Sequence, residues 1–235
     1  MVSLDDRGSL RNLFEDYPDI EAVVDSVPPM QSQSDPLLGV KNVVASLTNS
    51  KVRKVIYLST TGVFGRRDGS VVDEKSIPAP WNLQGESRWK AEQVYRESSS
   101  RVTALRLPAI YGPDRGVLHS MRKGTYRLIE GGEIWTNRIH VHDLAQAIVL
   151  ALQTENVPEV LCISDDYPSR AKDVAGFICA REGLPCPQSI TKEEAERAGA
   201  YTMLSNQRVS NEMMKKVLGI QLRYPSYREG LYASD

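Results

Sequence analysis

Cysteine is scarce in this chain of 235 residues: it occurs three times, at Cys162, Cys179 and Cys186, with no Cys-x-x-Cys and no histidine at ligand spacing. That excludes a disulfide framework or a zinc site as the organising device and leaves buried or incidental thiols, with no metal. Long apolar runs are absent too. No stretch approaches the roughly eighteen consecutive apolar residues of a membrane span. The opening MVSLDDRGSL has neither the basic start nor the apolar core of a secretion signal. The chain therefore reads as cytoplasmic, with no membrane partner. Neither sign of charge is in excess, 29 Lys and Arg standing against 30 Asp and Glu. Such a balance projects no long-range field toward nucleic acid, which is excluded as a partner. With 41% hydrophobic and 25% charged residues the chain is not a disordered tail, and its length suffices for one sizeable core or one core with a small lobe.

What is present is an alternation of strands and helices. IEAVVDSVPP is a short apolar strand stopped at Pro28 and Pro29, where proline removes the backbone donor. DPLLGVKNVVASLTNS follows as a helix, with Asp35 as its N-cap, Pro36 at the first helical position and an apolar stripe of Leu38, Val40, Val43, Val44 and Leu47. KVIYLSTTGVFG is a β-branched and aromatic run suited to burial on both faces of a parallel sheet. GESRWKAEQVYRESS is helical, RVTALRLPAIYGP is a strand running into a Gly-Pro turn, and HDLAQAIVLALQ is an amphipathic helix. EVLCISDD is a further strand, and AKDVAGFICAREG and NQRVSNEMMKKVLG are helices closed by Gly183 and Gly219. The order predicts a parallel α/β sheet.

Individual residues carry further expectations. Arg106 sits inside an apolar strand, where a charge requires a partner, so an ion pair is expected. His140 and His142 alternate along what reads as extended backbone and face opposite ways, which argues for structural or capping roles and against a shared metal. Asp143 suits the positive end of its helix.

Taken in order, VIYLSTTGVFG, QGESRWKAE, LRLPAIYGP, RIHVHDLAQAI and YPSYREGL resemble the corresponding pieces of the extended short-chain dehydrogenase/reductase superfamily, the NAD(P)-dependent epimerases and dehydratases of nucleotide sugars, over nearly the whole chain. The resemblance implies a Rossmann-like α/β unit spanning 1–235, with a small C-terminal α/β substrate lobe drawn mainly from 116–138 and 165–235. It implies NAD or NADP as cofactor, a nucleotide sugar as small-molecule substrate, and a homodimer through the helices of DPLLGVKNVVASLTNS and QGESRWKAEQVYRESS. Thr60 falls at the position of the catalytic Ser or Thr. Ser26, Val27, Pro28, Arg88 and Pro108 fall on the cofactor side, and Thr61, Tyr111 and Arg138 on the substrate side.

The chain departs from the family pattern at two places. In the family a hydride moves between a substrate carbon and nicotinamide, while a tyrosine moves the hydroxyl proton and a lysine four residues later lowers its pKa. Counted from Ala91 and Glu92, those positions hold Gln84 and Arg88. Glutamine has no ionisable proton, and the planar guanidinium is no like-for-like replacement for an ammonium. The second departure is the family's opening turn, G-x-x-G-x-x-G, whose amides hold the cofactor pyrophosphate. None of the 16 glycines falls in that pattern. With EAVVDSVPP matched to the family's fourth strand, the first three strands would precede Met1, giving an N-terminally truncated sheet that holds the dinucleotide weakly or not at all. Two readings stand: an NAD(P)-dependent epimerase/dehydratase-like oxidoreductase, or a non-catalytic nucleotide-sensing or protein-binding descendant. In either case the chain would be a whole protein or a fragment of a longer one.

Overall fold

The computed structural model describes residues 3–29, 34–48, 50–200 and 204–233. In chain order its elements are α1 (Arg7–Asp16), β1 (Ala22–Asp25), α2 (Leu38–Leu47), β2 (Lys54–Thr60), β3 (Val71–Val72), α3 (Leu83–Arg96), β4 (Arg101–Leu107), β5 (Ala109–Tyr111) and α4 (Val117–Arg122). There follow β6 (Leu128–Ile129), β7 (Trp135–Thr136), β8 (Arg138–His140), α5 (Val141–Gln153), β9 (Val160–Cys162), β10 (Ser169–Arg170), α6 (Ala171–Glu182), β11 (Ser189–Ile190), α7 (Lys192–Arg197), β12 (Arg208–Val209), α8 (Glu212–Leu218) and α9 (Tyr227–Gly230).

Four strands form the central sheet in the order β1-β2-β4-β9, every pairing parallel. The alternation of side chains along β2 explains its two-sided burial. Val55 and Tyr57 enter a core with Val40, Val43, Leu47 and Tyr95 of α2 and α3. Ile56 enters the opposite core, with Leu144 and Ala147 of α5 and Met214 and Leu218 of α8. Helices thus cover both faces, the arrangement that a continuous apolar parallel strand requires. No helix among the described residues is long and apolar enough to cross a membrane.

Three local expectations change. Helix α1 was not anticipated, although Asp6 caps it by accepting from the Gly8 amide at 2.9 Å, and Leu10, Leu13 and Phe14 are spaced for one apolar face. Helix α2 begins at Leu38, because Asp35 accepts from the Leu37 amide at 3.0 Å and closes a turn ahead of the helix instead of capping it. Within α2, Val40, Val43 and Leu47 are buried, and Leu37 and Val44 pack into the same cluster as Leu4, Leu10 and Phe14. Much of the apolar excess of this helix is therefore covered within the chain. Finally, NQRVSNEMMKKVLG is helical only from Glu212, since Arg208 and Val209 pair in parallel with Val71 and Val72.

The smaller part of the molecule is held by two-stranded pairs, β6 with β11 and β7 with β10, and by a cluster of Tyr111, Leu118, Met121, Val174, Ile178 and Tyr227. Of the segments expected to form a lobe, residues 201–203 and 234–235 lie outside the described residues.

The ion pair expected of Arg106 is made with Glu92. Its Nη2 donates to Oε2 at 2.8 Å and its Nε to Oε1 at 3.2 Å, the two residues being 1% and 2% exposed. Ser59 Oγ donates to Glu92 Oε1 at 2.5 Å, and the guanidinium lies 4.8 Å from the Phe64 ring centroid. A planar fork facing a carboxylate, with an aromatic face beneath it, is a geometry that arginine meets and lysine does not. Removing one partner leaves the other charge buried and alone. Glu92→Ala is expected to lower unfolding stability by about 3–5 kcal/mol. Urea denaturation checks this, and a loss below about 1 kcal/mol would contradict the assignment.

Candidate functional site

The carboxyl ends of β1, β2 and β4 open onto a cleft of about 980 Å³. A crevice at this end of a parallel sheet is where the fold leaves room for a ligand, because the helices that cover its faces diverge there. Ser59 and Thr60 of β2, with Leu107 of β4 and the adjoining Pro108, contribute to its floor, and the first turns of α3 bring Asn82, Gln84, Gly85 and Arg88 to one wall. The facing wall carries Arg115, Tyr126, Arg127, Thr136, Arg138 and Gln207. The approach of α3 depends on a glycine: a Cβ on Gly85 would stand 2.9 Å from the Gly62 carbonyl oxygen. Without that side chain, α3 packs against the turn that follows Thr60 and sets Gln84 at the cleft.

Of the residues singled out in the sequence, Thr60, Thr61, Gln84, Arg88, Ser26, Pro28, Pro108, Tyr111 and Arg138 all line this cleft. Val27 does not. It borders a separate cavity of about 20 Å³ with Asp25, Pro29 and Pro36, and is 41% exposed. The cause is local: Asp25 Oδ1 accepts from the Val27 amide at 2.8 Å, and the resulting turn leaves Ser26 and Pro28 on the cleft side.

Thr60 caps the following turn, its Oγ1 accepting from the Gly62 amide at 3.1 Å, which leaves the hydroxyl proton able to donate. Gln84 is exposed within the cleft. Arg88 is braced: its Nη1 donates to the Leu58 carbonyl at 2.8 Å and to the Tyr57 hydroxyl at 3.3 Å. Burial pushes the Tyr57 phenol up to about 12, so it does not titrate near neutrality. Its ring packs 4.8 Å from Tyr95, whose hydroxyl donates to the Asp25 carboxylate. This chain of contacts from β1 to Arg88 was not anticipated, since it joins three segments, β1, β2 and α3, that lie far apart in sequence.

Tyr111 belongs to the wall, but its hydroxyl donates to the Ser226 carbonyl at 3.2 Å and burial raises its pKa. It packs a turn and is not poised to give up a proton. Arg138, 5% exposed, is met by hydroxyl groups: Nη2 donates to Thr136 Oγ1 at 2.5 Å and Nη1 to Ser169 Oγ at 3.3 Å. Burial lowers its pKa. Nearby Asp165 is pushed up to about 7, first by burial, against the opposing pull of Arg138. Gln207 was also not anticipated. Its Nε2 donates to the Thr61 carbonyl at 2.9 Å, while Asn137 donates to the Gln207 carbonyl at 2.8 Å and so fixes that segment.

The two histidines do not face opposite ways. Helix α5 already begins at Val141, so His140 is its N-cap, with Nδ1 accepting from the His142 amide at 3.2 Å. The two rings stack at 5.2 Å and 11°. Asp143 does more than favour a helix end: its carboxylate accepts from the amides of Arg223 at 2.8 Å and Tyr224 at 3.0 Å, anchoring the YPSYREGL segment. Among the described residues no group of three or more His, Cys, Asp or Glu is placed to hold a metal.

The charge of the cleft is one-sided. Arg88, Arg115, Arg127 and Arg138 line it, and among the described residues its lining contains no Asp, Glu, Lys, His or Cys. Arginine stays protonated at any ordinary pH, so the lining itself is cationic, and the titrating group that acts on it, Asp165 near Arg138, lies outside the lining. As a nicotinamide-nucleotide site it fits in part: Ser26, Pro28, Arg88 and Pro108, the residues expected on the cofactor side, line it. The described residues, however, supply no glycine-rich turn of amides for a pyrophosphate.

The profile of the NAD dependent epimerase/dehydratase family matches residues 2–164. A 3-diazoavenalumate denitrifying reductase from a Streptomyces species is 25% identical over 209 residues, which cover 82% of this chain and 68% of that protein. The chain spans 38% and 60% of two further curated relatives. Among solved structures, a conserved protein of unknown function from Silicibacter pomeroyi DSS is 32% identical at a TM-score of 0.76, covering 90% of this chain and 76% of that one. A UDP-glucose 4-epimerase from Thermotoga maritima, solved with UDP-glucose, shares the fold at a TM-score of 0.80 and 20% identity, covering 97% of this chain and 80% of that one. With a parallel sheet, a cleft at its carboxyl edge and a profile match across most of its length, this chain belongs to the NAD dependent epimerase/dehydratase family.

Proposed function

We propose that the chain binds a nucleotide-sugar-like anion in the arginine-lined cleft, on the substrate side of an NAD or NADP site, without the family's proton relay. The observation that carries this reading is the lining itself: among the described residues, four arginines and no acidic residue, in a chain whose formal net charge is −1. A diphosphate linking a nucleoside to a sugar is the kind of ligand that such a lining favours, because guanidinium groups meet phosphate oxygens in pairs. Arg138 supports the reading most directly. It is buried with hydroxyl partners, an arrangement completed by an incoming anion. Thr60 and the Gln84 amide then suit hydrogen bonds to sugar hydroxyls. The small α/β lobe of 116–138 and 165–235 is proposed as the substrate side.

The absence of the relay favours a binding or sensing role over turnover. Gln84 cannot exchange a proton, and the phenols of Tyr111 and Tyr126 have pKa values raised by burial, away from the neutral range useful to a general acid or base. The similarity to the Streptomyces reductase favours a second reading, in which a substrate is reduced with Thr60 as hydrogen-bond donor. A homodimer through α2 and α3 has a narrower basis than the sequence suggests: Leu38 is 37% exposed, whereas Leu37 and Val44 pack inward.

Calorimetric titration with UDP-glucose is expected to show binding that Arg138→Met weakens about tenfold, or about 1.4 kcal/mol. The exposed Arg115→Ala serves as a second variant whose effect does not depend on a buried position. An affinity unchanged in both counts against the proposal. Assay with NADH, NADPH and UDP-glucose is expected to give no turnover, and turnover abolished by Thr60→Val would support the reductase reading instead.

The pH dependence has a defined sign. Below about pH 7 Asp165 is neutral and leaves Arg138 uncompensated, and above it the carboxylate opposes an incoming anion. Affinity for UDP-glucose, whose diphosphate keeps its charge over this range, is expected to fall between about pH 6 and pH 8. Asp165→Asn is expected to flatten that fall, and an unchanged slope in the variant would remove Asp165 from the explanation.

A further inference from the structure

Helix α6 carries Cys179 in its last turn and ends at Gly183, whose φ of 66° is the left-handed conformation that glycine adopts without a Cβ clash. The Gly183 amide donates to the Cys179 carbonyl at 2.9 Å, and the chain there turns back on the helix it has just left. Two residues on, the Pro185 carbonyl oxygen lies 3.6 Å from Cys179 Sγ, so the next residue, Cys186, is delivered beside that thiol. The Cys186 thiol is thereby a neighbour of Cys179. A disulfide requires Cα atoms roughly 4.4–6.8 Å apart, a separation that a chain folded back on its own helix end can meet.

We propose that Cys179 and Cys186 form a reversible thiol-disulfide site, with a low-molecular-weight disulfide of the glutathione type as its oxidising substrate. The two thiols differ in the way that such a site needs. Cys186 is exposed, Cys179 is half-buried, and Cys162 is buried at the sheet. Exposure makes Cys186 the attacking group, and the half-buried Cys179 beside it the resolving one. The Cys186 thiolate attacks one sulfur of the glutathione disulfide, forming a mixed disulfide as the glutathione S–S bond breaks and one glutathione leaves as thiolate. Cys179, having released its proton to water, then attacks the Cys186 sulfur and displaces the second glutathione thiolate. Two protein thiols are oxidised, and one glutathione disulfide is reduced to two thiols.

The bond would join two parts of the cleft wall. Helix α6 contributes Ala171 and Val174 to the lining, and the loop after Cys186 leads into β11, whose partner β6 contributes Ile129. The site is nevertheless independent of what the cleft binds.

The native full chain, equilibrated in glutathione redox buffers, quenched with acid and alkylated, tests the proposal by mass. The expected product lacks two hydrogens, its tryptic peptides 173–181 and 182–192 are linked, and one of the three thiols, Cys162, remains alkylatable. The effective concentration of the pair is expected to be at least about tenfold higher in the native chain than in denaturing urea. Cys179→Ser is expected to stop at a single glutathione adduct on Cys186. Equal effective concentrations in the two states, a link through Cys162, or a wild-type chain that keeps the Cys186 adduct with Cys179 free would each overturn the proposal.

Discussion

A buried guanidinium and the carboxylate that receives it keep the cleft in shape. Arg106 belongs to β4, Glu92 to α3 and Ser59 to β2, so one hydrogen-bonded group ties together two adjacent strands and the helix laid across them. Ser59 precedes Thr60, and Glu92 lies one helical turn beyond Arg88. The residues that face the cleft are therefore next to those that cannot move. A buried ion pair adds little net stability over an apolar substitute. What it supplies here is position, because the fork accepts only one arrangement of the three elements.

Apart from Asp165, which acts on Arg138, the acidic side chains around the site are committed elsewhere. Glu92 meets Arg106, Asp25 receives the Tyr95 hydroxyl, and Asp143 receives two backbone amides of the closing segment. Each satisfies a buried donor that would otherwise be left without a partner. The result is a near-neutral protein with a cleft of one sign. Such a field is not readable from net charge, since it depends on which charges the fold turns inward.

How much was legible in the sequence follows from the range of each contact. Strands β2 and β4 announced themselves because burial on both faces leaves a continuous apolar run, and the Arg106 partner was demanded by that run. Thr60, Gln84 and Arg88 were found by their order along the chain, and all three reach the cleft. Val27 missed it through a turn made by its own neighbour, Asp25. The stacked histidines were misread because a helix began one residue after His140, where an extended segment was expected. Arg115, Arg127 and Gln207 carry no local pattern, since their approach to Thr60 and Arg88 is created by pairings between distant segments. The Cys179 and Cys186 contact is short in sequence, yet it depends on the left-handed turn at Gly183 and matches no cysteine spacing motif.

The bond from Gln207 to the Thr61 carbonyl joins residues 146 apart in the chain, and those from the closing segment to Asp143 span 80 and 81. Contacts of that reach close large loops, and their entropy has to be overcome before they contribute. The sheet pairings of β1, β2 and β4 can form from the first half of the chain, while the second wall waits for nearly all of it. Recognition accordingly depends on contacts that close large loops. An intermediate with a complete sheet and an open cleft would look native by its secondary structure and still be unable to hold a ligand.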